Sequence, residues 1–389
     1  MPAMTPRMTS GTVDPAQRVG RTPAPTTWLR LDGRAVAAVG RARVYVCGIT
    51  PYDVTHLGHA ATFVWADVLA ATLETTGARV EVCRNVTDVD DVLTSAAAER
   101  GRHYDELALS QEAVFDASMR ALRVARPAAQ PRARHHVDAV QLLAQALLDA
   151  GAAYVRDGTV WFRGAGAATG LDREEALALS AAYGDDPGDA AKDDPFDVAV
   201  WRPSPEGHPA WPSPWGWGRP GWHAECAAMA LAVLGSSVDV LVGGEDLRFP
   251  HHAYQSAMVE AATGVAPFGR SVLHVGEVRV GGAKMAKSTG NLVLVDEVLD
   301  SVEPAALRTL LVDRPVGEPW DYDPADLAGA EARLERLYAA AGRPGSGEGA
   351  VTAVLDRLRD GLDVPGALDL AESEGGEAAR RLVSVLRLG

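Results

Sequence analysis

Hydrophobic residues follow two different periods along the first third of the chain, and together they predict a β-α-β unit. Residues 43–46 form a short run rich in β-branched and aromatic side chains, which indicates a buried strand. Apolar residues then recur at helical spacing over 58–76, and an alternating run over 79–84 predicts a second strand. This order of elements favours an α/β fold with a parallel, doubly wound, Rossmann-like sheet.

The pattern beyond the second strand predicts a helix-rich insertion before the sheet resumes. We expect helices over 88–100, 104–123 and 136–150, followed by a hairpin that turns at Asp157-Gly158. A helix over 224–234 and a strand over 238–242 then return to the sheet, and the chain from Pro304 onward is predicted to be almost entirely helical.

These patterns divide the chain into five predicted segments. In order, they are a disordered arm over 1–27, the first half of a Rossmann catalytic domain over 28–91, an inserted connective domain over 92–200, the second half of the catalytic domain with a lysine loop over 201–300, and a helical C-terminal domain over 301–389.

Composition places this architecture in a reducing compartment. The 389 residues are 47% hydrophobic, enough for a large core, yet no run is long and apolar enough to span a bilayer. The first 27 residues lack the hydrophobic stretch of a secretory signal. Only three cysteines occur, which argues against a disulfide framework. We therefore expect a cytoplasmic protein with no membrane partner.

The charge balance bears on the partners of the protein. The net charge is −15 and the isoelectric point is about 5.1. Such a surface repels a polyphosphate backbone, so a large nucleic-acid partner such as tRNA is disfavoured, although a local basic patch would still permit one.

The first motif that carries chemistry is His56-Leu57-Gly58-His59, at the predicted turn from strand to helix. The glycine allows the backbone to approach a nucleotide, and a helix N-terminus favours phosphate. Imidazole N–H groups stabilise the charge that grows on phosphoryl oxygens in a transition state. Taken alone, two histidines near a helix start are as readily explained as incidental polar residues.

The second motif is Lys284-Met285-Ala286-Lys287-Ser288, which follows a pair of glycines. Two ammonium groups on a mobile loop stabilise a triphosphate and a leaving pyrophosphate. The alternative is a solvated lysine pair on a hairpin. The two motifs together resemble the catalytic core of the class I aminoacyl-tRNA synthetases, which implies attack of a carboxylate on the α-phosphate of ATP.

A third set of residues has the chemistry of a zinc site. Cys47 ends the first strand, Cys226 lies in the Trp222-to-Cys226 segment, and His251 follows Pro250. Thiolate and imidazole are good zinc ligands, and three protein ligands leave one position for a substrate thiol. The three residues are far apart in sequence, so buried inert cysteines are the alternative.

The order of these motifs resembles the cysteinyl-tRNA synthetase family over about residues 42–330. The most specific segments are 46–53, 85–91, 218–226 and 249–252. Within that family the chain is similar to the mycothiol ligase branch, which joins cysteine to glucosaminyl-inositol in mycothiol biosynthesis. The tRNA-charging branch carries a glutamate where this chain has Gln255, and it extends into an anticodon-binding domain for which little chain remains here.

The resemblance implies a role for individual residues, position by position. It implies Zn²⁺ binding by Cys47, Cys226 and His251, with the cysteine substrate as the fourth ligand. It implies binding of the cysteinyl-adenylate by Thr50, Thr62, Asn85, Thr87 and Trp222, and binding of ATP with Mg²⁺ by Gly48, His56, His59, Gly244, Asp246, Lys284 and Lys287. His56, His59, Thr87, Lys284 and Lys287 are the expected catalytic residues. A simple helix cap is the alternative role for Asp246.

The chain departs from the pattern near the site, since Ala253 stands where the branch commonly has glutamate and Ala286 replaces a serine. These changes leave the predicted zinc and ATP residues intact, so we expect activation of cysteine, while the acceptor amine stays open. We expect an ATP-dependent ligase that joins L-cysteine to the amine of an aminosugar. A ligase for another amine, a cysteinyl-tRNA synthetase, and a catalytically weak paralogue that acts as a binding partner are the alternatives.

Overall fold

A computed structural model describes residues 28–52, 54–167, 170–285 and 289–389. The predicted N-terminal arm and Lys287 lie outside the described residues. The strands are β1 Arg30–Leu31, β2 Arg34–Ala35, β3 Arg41–Ile49, β4 Arg79–Val86, β5 Ala153–Arg156, β6 Thr159–Phe162, β7 Val198–Pro203, β8 Gly218–Pro220, β9 Val240–Gly244, β10 Val272–Val275, β11 Val278–Val280, β12 Ala283–Lys284 and β13 Trp320–Asp321. The α-helices are α1 Leu57–Glu74, α2 Asp91–Glu99, α3 Tyr104–Ala121, α4 Val137–Asp149, α5 Arg173–Ala182, α6 Trp222–Leu234, α7 Ala253–Thr263, α8 Val295–Leu299, α9 Pro304–Val312, α10 Asp326–Ala341, α11 Glu348–Arg359, α12 Val364–Glu374 and α13 Gly376–Val385.

The centre of the fold is a parallel sheet in the order β10-β9-β3-β4. The predicted β-α-β unit is confirmed, because β3 and β4 pair in parallel and α1 connects them. Helix α1 is buried along most of its length, with Trp65 only 1% exposed, so its sequence is apolar on nearly every face. The parallel, doubly wound arrangement expected from the hydrophobic pattern is therefore present.

The chain between β4 and α6 contains three of the predicted helices and a small antiparallel sheet. The sheet has the order β5-β6-β7-β8, and β5 and β6 form the hairpin predicted at Asp157-Gly158. Both turn residues have positive φ, 51° at Asp157 and 76° at Gly158, a conformation that Gly and Asp tolerate best. Helix α2 begins at Asp91, three residues later than predicted, because the Asp90 side chain accepts a hydrogen bond from the Val92 amide as an N-cap.

The predicted lysine loop begins on a separate three-stranded sheet in the order β12-β11-β13. Strands β11 and β12 form a hairpin over Gly281 and Gly282, and β13 pairs in parallel with β11. Strand β13 is an exception to the prediction of an almost entirely helical C-terminal part. It forms because the segment before α10 crosses back to the edge of β11, a tertiary contact that local propensity does not encode.

Helices α9 to α13 pack together and against α1, joining the C-terminal part of the chain to the same hydrophobic core as the parallel sheet. The Arg308 side chain on α9 is fully buried and forms an ion pair with Asp67 of α1. It also donates to the Leu122 and Leu386 carbonyl oxygens, at 2.9 and 2.6 Å. The five-part division of the chain itself stays a prediction. No helix within the described ranges is long and apolar enough to cross a membrane.

Candidate active site

The carboxyl ends of the parallel strands open into a cavity of about 540 Å³. This edge of an open α/β sheet is where such folds bind ligands. Gly48 at the end of β3 has to be glycine, because a Cβ there would lie 1.6 Å from the Asn85 carbonyl oxygen. The predicted site residues that line the cavity are Cys47, Gly48, Thr50, His56, His59, Thr62, Gly244, Asp246 and Lys284.

The two histidines of the first motif are brought together at the start of α1. Their rings are stacked with centroids 3.9 Å apart. The Gly58 amide donates to His56 Nδ1 at 3.1 Å, which leaves the ring proton of neutral His56 on Nε2. Burial, with a smaller contribution from His56, lowers the pKa of His59 to about 3. His59 is therefore a neutral imidazole at physiological pH, with one ring N–H group, and does not carry a fixed charge.

Lys284 lines the same cavity as this pair and ends strand β12 of the β11–β12 hairpin. Its Nζ donates to Asp246 Oδ2 at 2.9 Å and lies 3.8 Å from Glu277 Oε1. Burial alone would lower the pKa of Lys284, but the charge of Asp246 and the hydrogen bond to it outweigh burial and raise that pKa. Lys284 is therefore a cation, and the two predicted ATP-binding residues are direct hydrogen-bond partners.

The three predicted metal ligands converge although they come from three separate parts of the chain. The Sγ atoms of Cys47 and Cys226 and a ring nitrogen of His251 all lie within 4.8 Å of one another, and all three residues are buried. Burial, with further contributions from Cys47, raises the pKa of the Cys226 thiol well above its usual value. A bound cation would reverse that effect, since metal coordination deprotonates a thiol.

Neighbouring polar groups fix the positions of the three side chains. The Asn85 side-chain Nδ2 donates to Cys226 Sγ at 3.1 Å. The side-chain Oδ1 of Asn85 accepts a hydrogen bond from the backbone amide of Gly48 at 2.8 Å. The Cys47 thiol donates to Gln255 Oε1 at 3.5 Å, which places the residue that replaces glutamate next to the cluster. A glutamine contributes no charge there, so the cluster has two sulfurs and one imidazole as its strong ligands.

The predicted substrate residues Thr87 and Trp222 do not line the cavity at the carboxyl ends of the parallel strands. Thr87 Oγ1 lies 2.7 Å from Thr50 Oγ1, behind the wall of the cavity. The Trp222 ring is stacked on the His251 ring with centroids 4.1 Å apart. Trp222 lines a second, neighbouring cavity instead of the first one.

Three residues that the sequence analysis did not assign also belong to this region. His223 Nδ1 lies 2.9 Å from His251 Nδ1, and His252 Nε2 lies 3.2 Å from Cys47 Sγ. His252 directly follows the predicted ligand His251, and His223 lies three residues before Cys226 in the same motif, so both had a signal in the sequence. Tyr183 contacts Trp222 and Lys284 from the inserted segment. No local pattern marks Tyr183, because its proximity to both residues comes from the tertiary fold.

Comparison with known proteins agrees with this geometry. Residues 35–332 match the family model described as tRNA synthetases class I (C) catalytic domain. The chain is 41% identical, over 94% of both chains, to the L-cysteine:1D-myo-inositol 2-amino-2-deoxy-α-D-glucopyranoside ligase of Thermobispora bispora. It is 45% identical to the ligase of the same name from Stackebrandtia nassauensis, over 84% of this chain and 78% of that one.

A solved structure shares the fold at lower sequence identity. The methionyl-tRNA synthetase of Mycobacterium tuberculosis, bound to methionyl-adenylate, superposes with a TM-score of 0.64 at 18% identity. The match covers 90% of this chain and 88% of that chain. These comparisons confirm the class I synthetase fold and the resemblance predicted from the motifs. The chain belongs to the class I tRNA synthetase (C) catalytic-domain family and, within it, to the group of L-cysteine:1D-myo-inositol 2-amino-2-deoxy-α-D-glucopyranoside ligases.

Proposed function

We propose that this protein is an ATP-dependent ligase that activates L-cysteine as cysteinyl-adenylate and joins it to the amine of glucosaminyl-inositol. One observation carries the proposal: Cys47 of the Cys-Cys-His cluster lines the same cavity as His56, His59 and Lys284. A group that selects a thiol therefore stands beside groups suited to phosphoryl chemistry. The three unpaired cysteines further support a cytoplasmic location.

The donor set supports zinc as the resident cation. Two sulfurs and one imidazole are soft and borderline ligands, which disfavours Mg²⁺ or Ca²⁺. A Zn²⁺ ion held by Cys47, Cys226 and His251 would take the substrate thiolate as its fourth ligand and so favour cysteine over serine. The Asn85 amide, which donates to Cys226 Sγ, stabilises the thiolate form of that ligand.

The first step forms the adenylate. A carboxylate oxygen of cysteine attacks the α-phosphorus of ATP, the new P–O bond forms, and the bond to pyrophosphate breaks. Pyrophosphate leaves with Mg²⁺. The His56 and His59 rings donate N–H hydrogen bonds to the phosphoryl oxygens, and Lys284, which lines the same cavity, supplies positive charge. Lys287 is proposed as a second cation for the leaving group.

The second step transfers the cysteinyl group to the acceptor. The neutral amine nitrogen attacks the carbonyl carbon of the adenylate, a C–N bond forms, and the C–O bond to the phosphate breaks. AMP leaves with the electron pair, and the nitrogen releases a proton to water. Trp222 and Thr50 are proposed to position the cysteinyl group for this attack, because one stacks on His251 and the other lines the cavity beside Cys47.

Mass spectrometry of the reaction products tests the proposal. The enzyme is given ATP, Mg²⁺ and cysteine, with glucosaminyl-inositol, bulk tRNA or no acceptor in parallel reactions. The expected products are cysteinyl-glucosaminyl-inositol, AMP and pyrophosphate, with no cysteinyl-tRNA. Pyrophosphate release without the amide would retain the activation step and reject this acceptor. Charged tRNA would reject the ligase assignment in favour of a cysteinyl-tRNA synthetase.

A further inference from the structure

A second cavity, of about 490 Å³, adjoins the nucleotide cavity, and nothing in the adenylation step uses it. Thr50 and Tyr52 line both cavities, so the two meet at the end of β3. The second cavity lies between the parallel sheet and the inserted segment, whose Tyr183, Gly184 and Asp185 form part of its wall.

Aromatic rings connect this cavity to the reaction centre. The Trp222 ring stacks on His251 of the metal-capable cluster, and it is also nearly parallel to the Tyr183 ring, with centroids 6.3 Å apart and planes at 14°. Trp222 therefore stands between the position of the cysteine thiol and the second cavity. The Nζ of Lys284 lies 5.9 Å from the centroid of the Tyr183 ring, so the same tyrosine contacts the adenylation lysine.

The charges on the wall favour hydroxyl and ammonium groups over phosphate. Three carboxylates line the cavity, at Asp90, Asp91 and Asp185, against one guanidinium, at Arg202. Arg202 and Arg219 are both paired with Asp91, at 2.7 and 2.8 Å, and Lys192 donates to both oxygens of Asp185 at 2.8 Å. Paired carboxylate oxygens still accept hydrogen bonds from hydroxyl and ammonium groups, whereas these three cations are already neutralised and attract a phosphodiester backbone less. The cavity is therefore better suited to a polyol cation than to the end of a nucleic acid.

We propose that the second cavity is the acceptor site, that it takes a hydroxyl-rich primary amine such as an aminosugar glycoside, and that Tyr183 is the wall against which the sugar ring packs. This inference rests on the proposed function and assigns its second substrate to a place. Apolar sugar faces pack on aromatic planes while a few polar groups fix orientation, as in most small-molecule sites. Asp185 accepts hydrogen bonds from the acceptor beside Tyr183, and the shared opening at Thr50 admits the amine to the cysteinyl carbonyl.

Two assays separate this inference from the proposed function. Cysteine-dependent ATP–pyrophosphate exchange measures activation without an acceptor, and amide formation at saturating ATP and cysteine gives the KM for glucosaminyl-inositol. Tyr183→Ala is expected to raise that KM about tenfold, because the sugar ring loses the aromatic surface on which it packs. Asp185→Asn is expected to raise it about fivefold or more, because an amide replaces an acceptor-only carboxylate. This variant also breaks the ion pair with the buried Lys192, so its urea-unfolding midpoint is compared with that of the parent protein. Both variants should change exchange by a smaller factor than they change KM.

Two further variants control for structural effects. Tyr183→Phe keeps the ring and is expected to restore most of the affinity for the acceptor. Asp186→Asn removes a neighbouring carboxylate that is exposed and does not line the cavity, so both assays should match the parent protein.

A KM unchanged in both Tyr183→Ala and Asp185→Asn, with normal exchange, would overturn the acceptor site and leave the ligase assignment standing. Absence of exchange in the parent protein would instead reject the proposed function. Variants with a higher KM for tRNA and an unchanged KM for the aminosugar would assign the cavity to a nucleic acid.

Discussion

The Nζ of Lys284 donates a hydrogen bond to Asp246 Oδ2 at 2.9 Å, joining the lysine loop to the end of strand β9. These residues are 38 positions apart, and both line the nucleotide cavity. In the proposed mechanism Lys284 supplies positive charge to the phosphates, and Asp246 is a predicted ATP-binding residue. ATP binding must therefore exchange an internal ion pair for contacts with the ligand, which couples the position of the loop to nucleotide occupancy.

Chemical acetylation of lysine tests this exchange directly. The chain contains only three lysines, at 192, 284 and 287. The Lys284 side chain is 48% exposed and should react in the free protein. ATP with Mg²⁺ and cysteine should protect it, because phosphate contacts then cover the ammonium group. Peptide mass spectrometry with and without the ligands measures the change.

Lys192 provides the internal control for this experiment. Its side chain is only 2% exposed and pairs with Asp185 at 2.8 Å, so it should stay unreactive in both states. Asp246→Asn should increase acetylation of Lys284 in the free protein and raise the KM for ATP. Equal acetylation of Lys284 with and without ATP would remove this lysine from the proposed nucleotide site.

The sequence alone predicted the parts of this site that lie within short motifs. It did not predict the parts that depend on contacts between residues far apart in the chain. The His56–His59 pair and the β3-α1-β4 unit follow from local patterns, and the structure contains both. Cys226 and His251 were assigned only through the family resemblance, because no spacing rule brings two residues 25 positions apart to Cys47. Tyr183 was not predicted, since its contact with Trp222 depends on how the inserted segment packs on the sheet.

Replacing one thiol of the cluster should remove the metal. Cys226→Ser exchanges a soft thiolate for a poor zinc ligand, so the purified variant should contain about one equivalent less zinc than the parent. Cysteine-dependent pyrophosphate exchange should fall with it. Inductively coupled plasma mass spectrometry gives the metal content, and cobalt substitution gives a thiolate charge-transfer band that should weaken in the variant.

Cys83 is a matched control for that substitution. It is buried like Cys226, but burial raises the pKa of its thiol to about 12 and it lies outside the three-residue cluster. Cys83→Ala should keep the zinc content of the parent, with at most a moderate loss of stability from the lost sulfur. If Cys226→Ser and Cys83→Ala retained the same amount of zinc, the cluster would not be the metal site.

The low pKa of His59 should make stability depend on pH. The folded protein binds a proton at this ring only near pH 3, whereas the unfolded chain binds one near the ordinary pKa of about 6.5. The unfolded state therefore gains protons first as pH falls, and the folded protein loses stability between about pH 6.5 and 3.

His59→Gln should remove this contribution. The slope of the unfolding free energy against pH should become shallower, by less than the ~1.4 kcal/mol per pH unit set by one proton, because the ring is only half-buried. Urea titrations between pH 4 and 7 measure the slope. Pyrophosphate exchange should also fall, by about 10² to 10³, the usual effect of removing one donor to a developing charge. An unchanged slope would show that His59 binds its proton at the same pH in both states.

The buried pair of Arg308 and Asp67 should be the most costly ion pair to break. Both side chains are at most 2% exposed, and Arg308 also donates to the carbonyl oxygens of Leu122 and Leu386. Arg308→Met leaves a buried carboxylate that has lost one of its two guanidinium partners and retains Arg387, whose Nε lies 3.1 Å away, and the Ala125 amide. We expect a loss of about 3 kcal/mol in unfolding free energy, the lower end for a broken buried pair.

The second partner decides whether that loss comes from the charge or from packing. Adding Asp67→Leu to Arg308→Met removes the uncompensated carboxylate, so the double variant should be more stable than Arg308→Met alone. Arg380→Met breaks an exposed pair with Glu377 on α13 and should cost less than about 1 kcal/mol. Urea unfolding of the four proteins provides the comparison. A double variant less stable than Arg308→Met would mean that Asp67 is stabilised mainly by groups other than Arg308, such as Arg387 and the Ala125 amide, which donates to Asp67 Oδ1 at 2.9 Å.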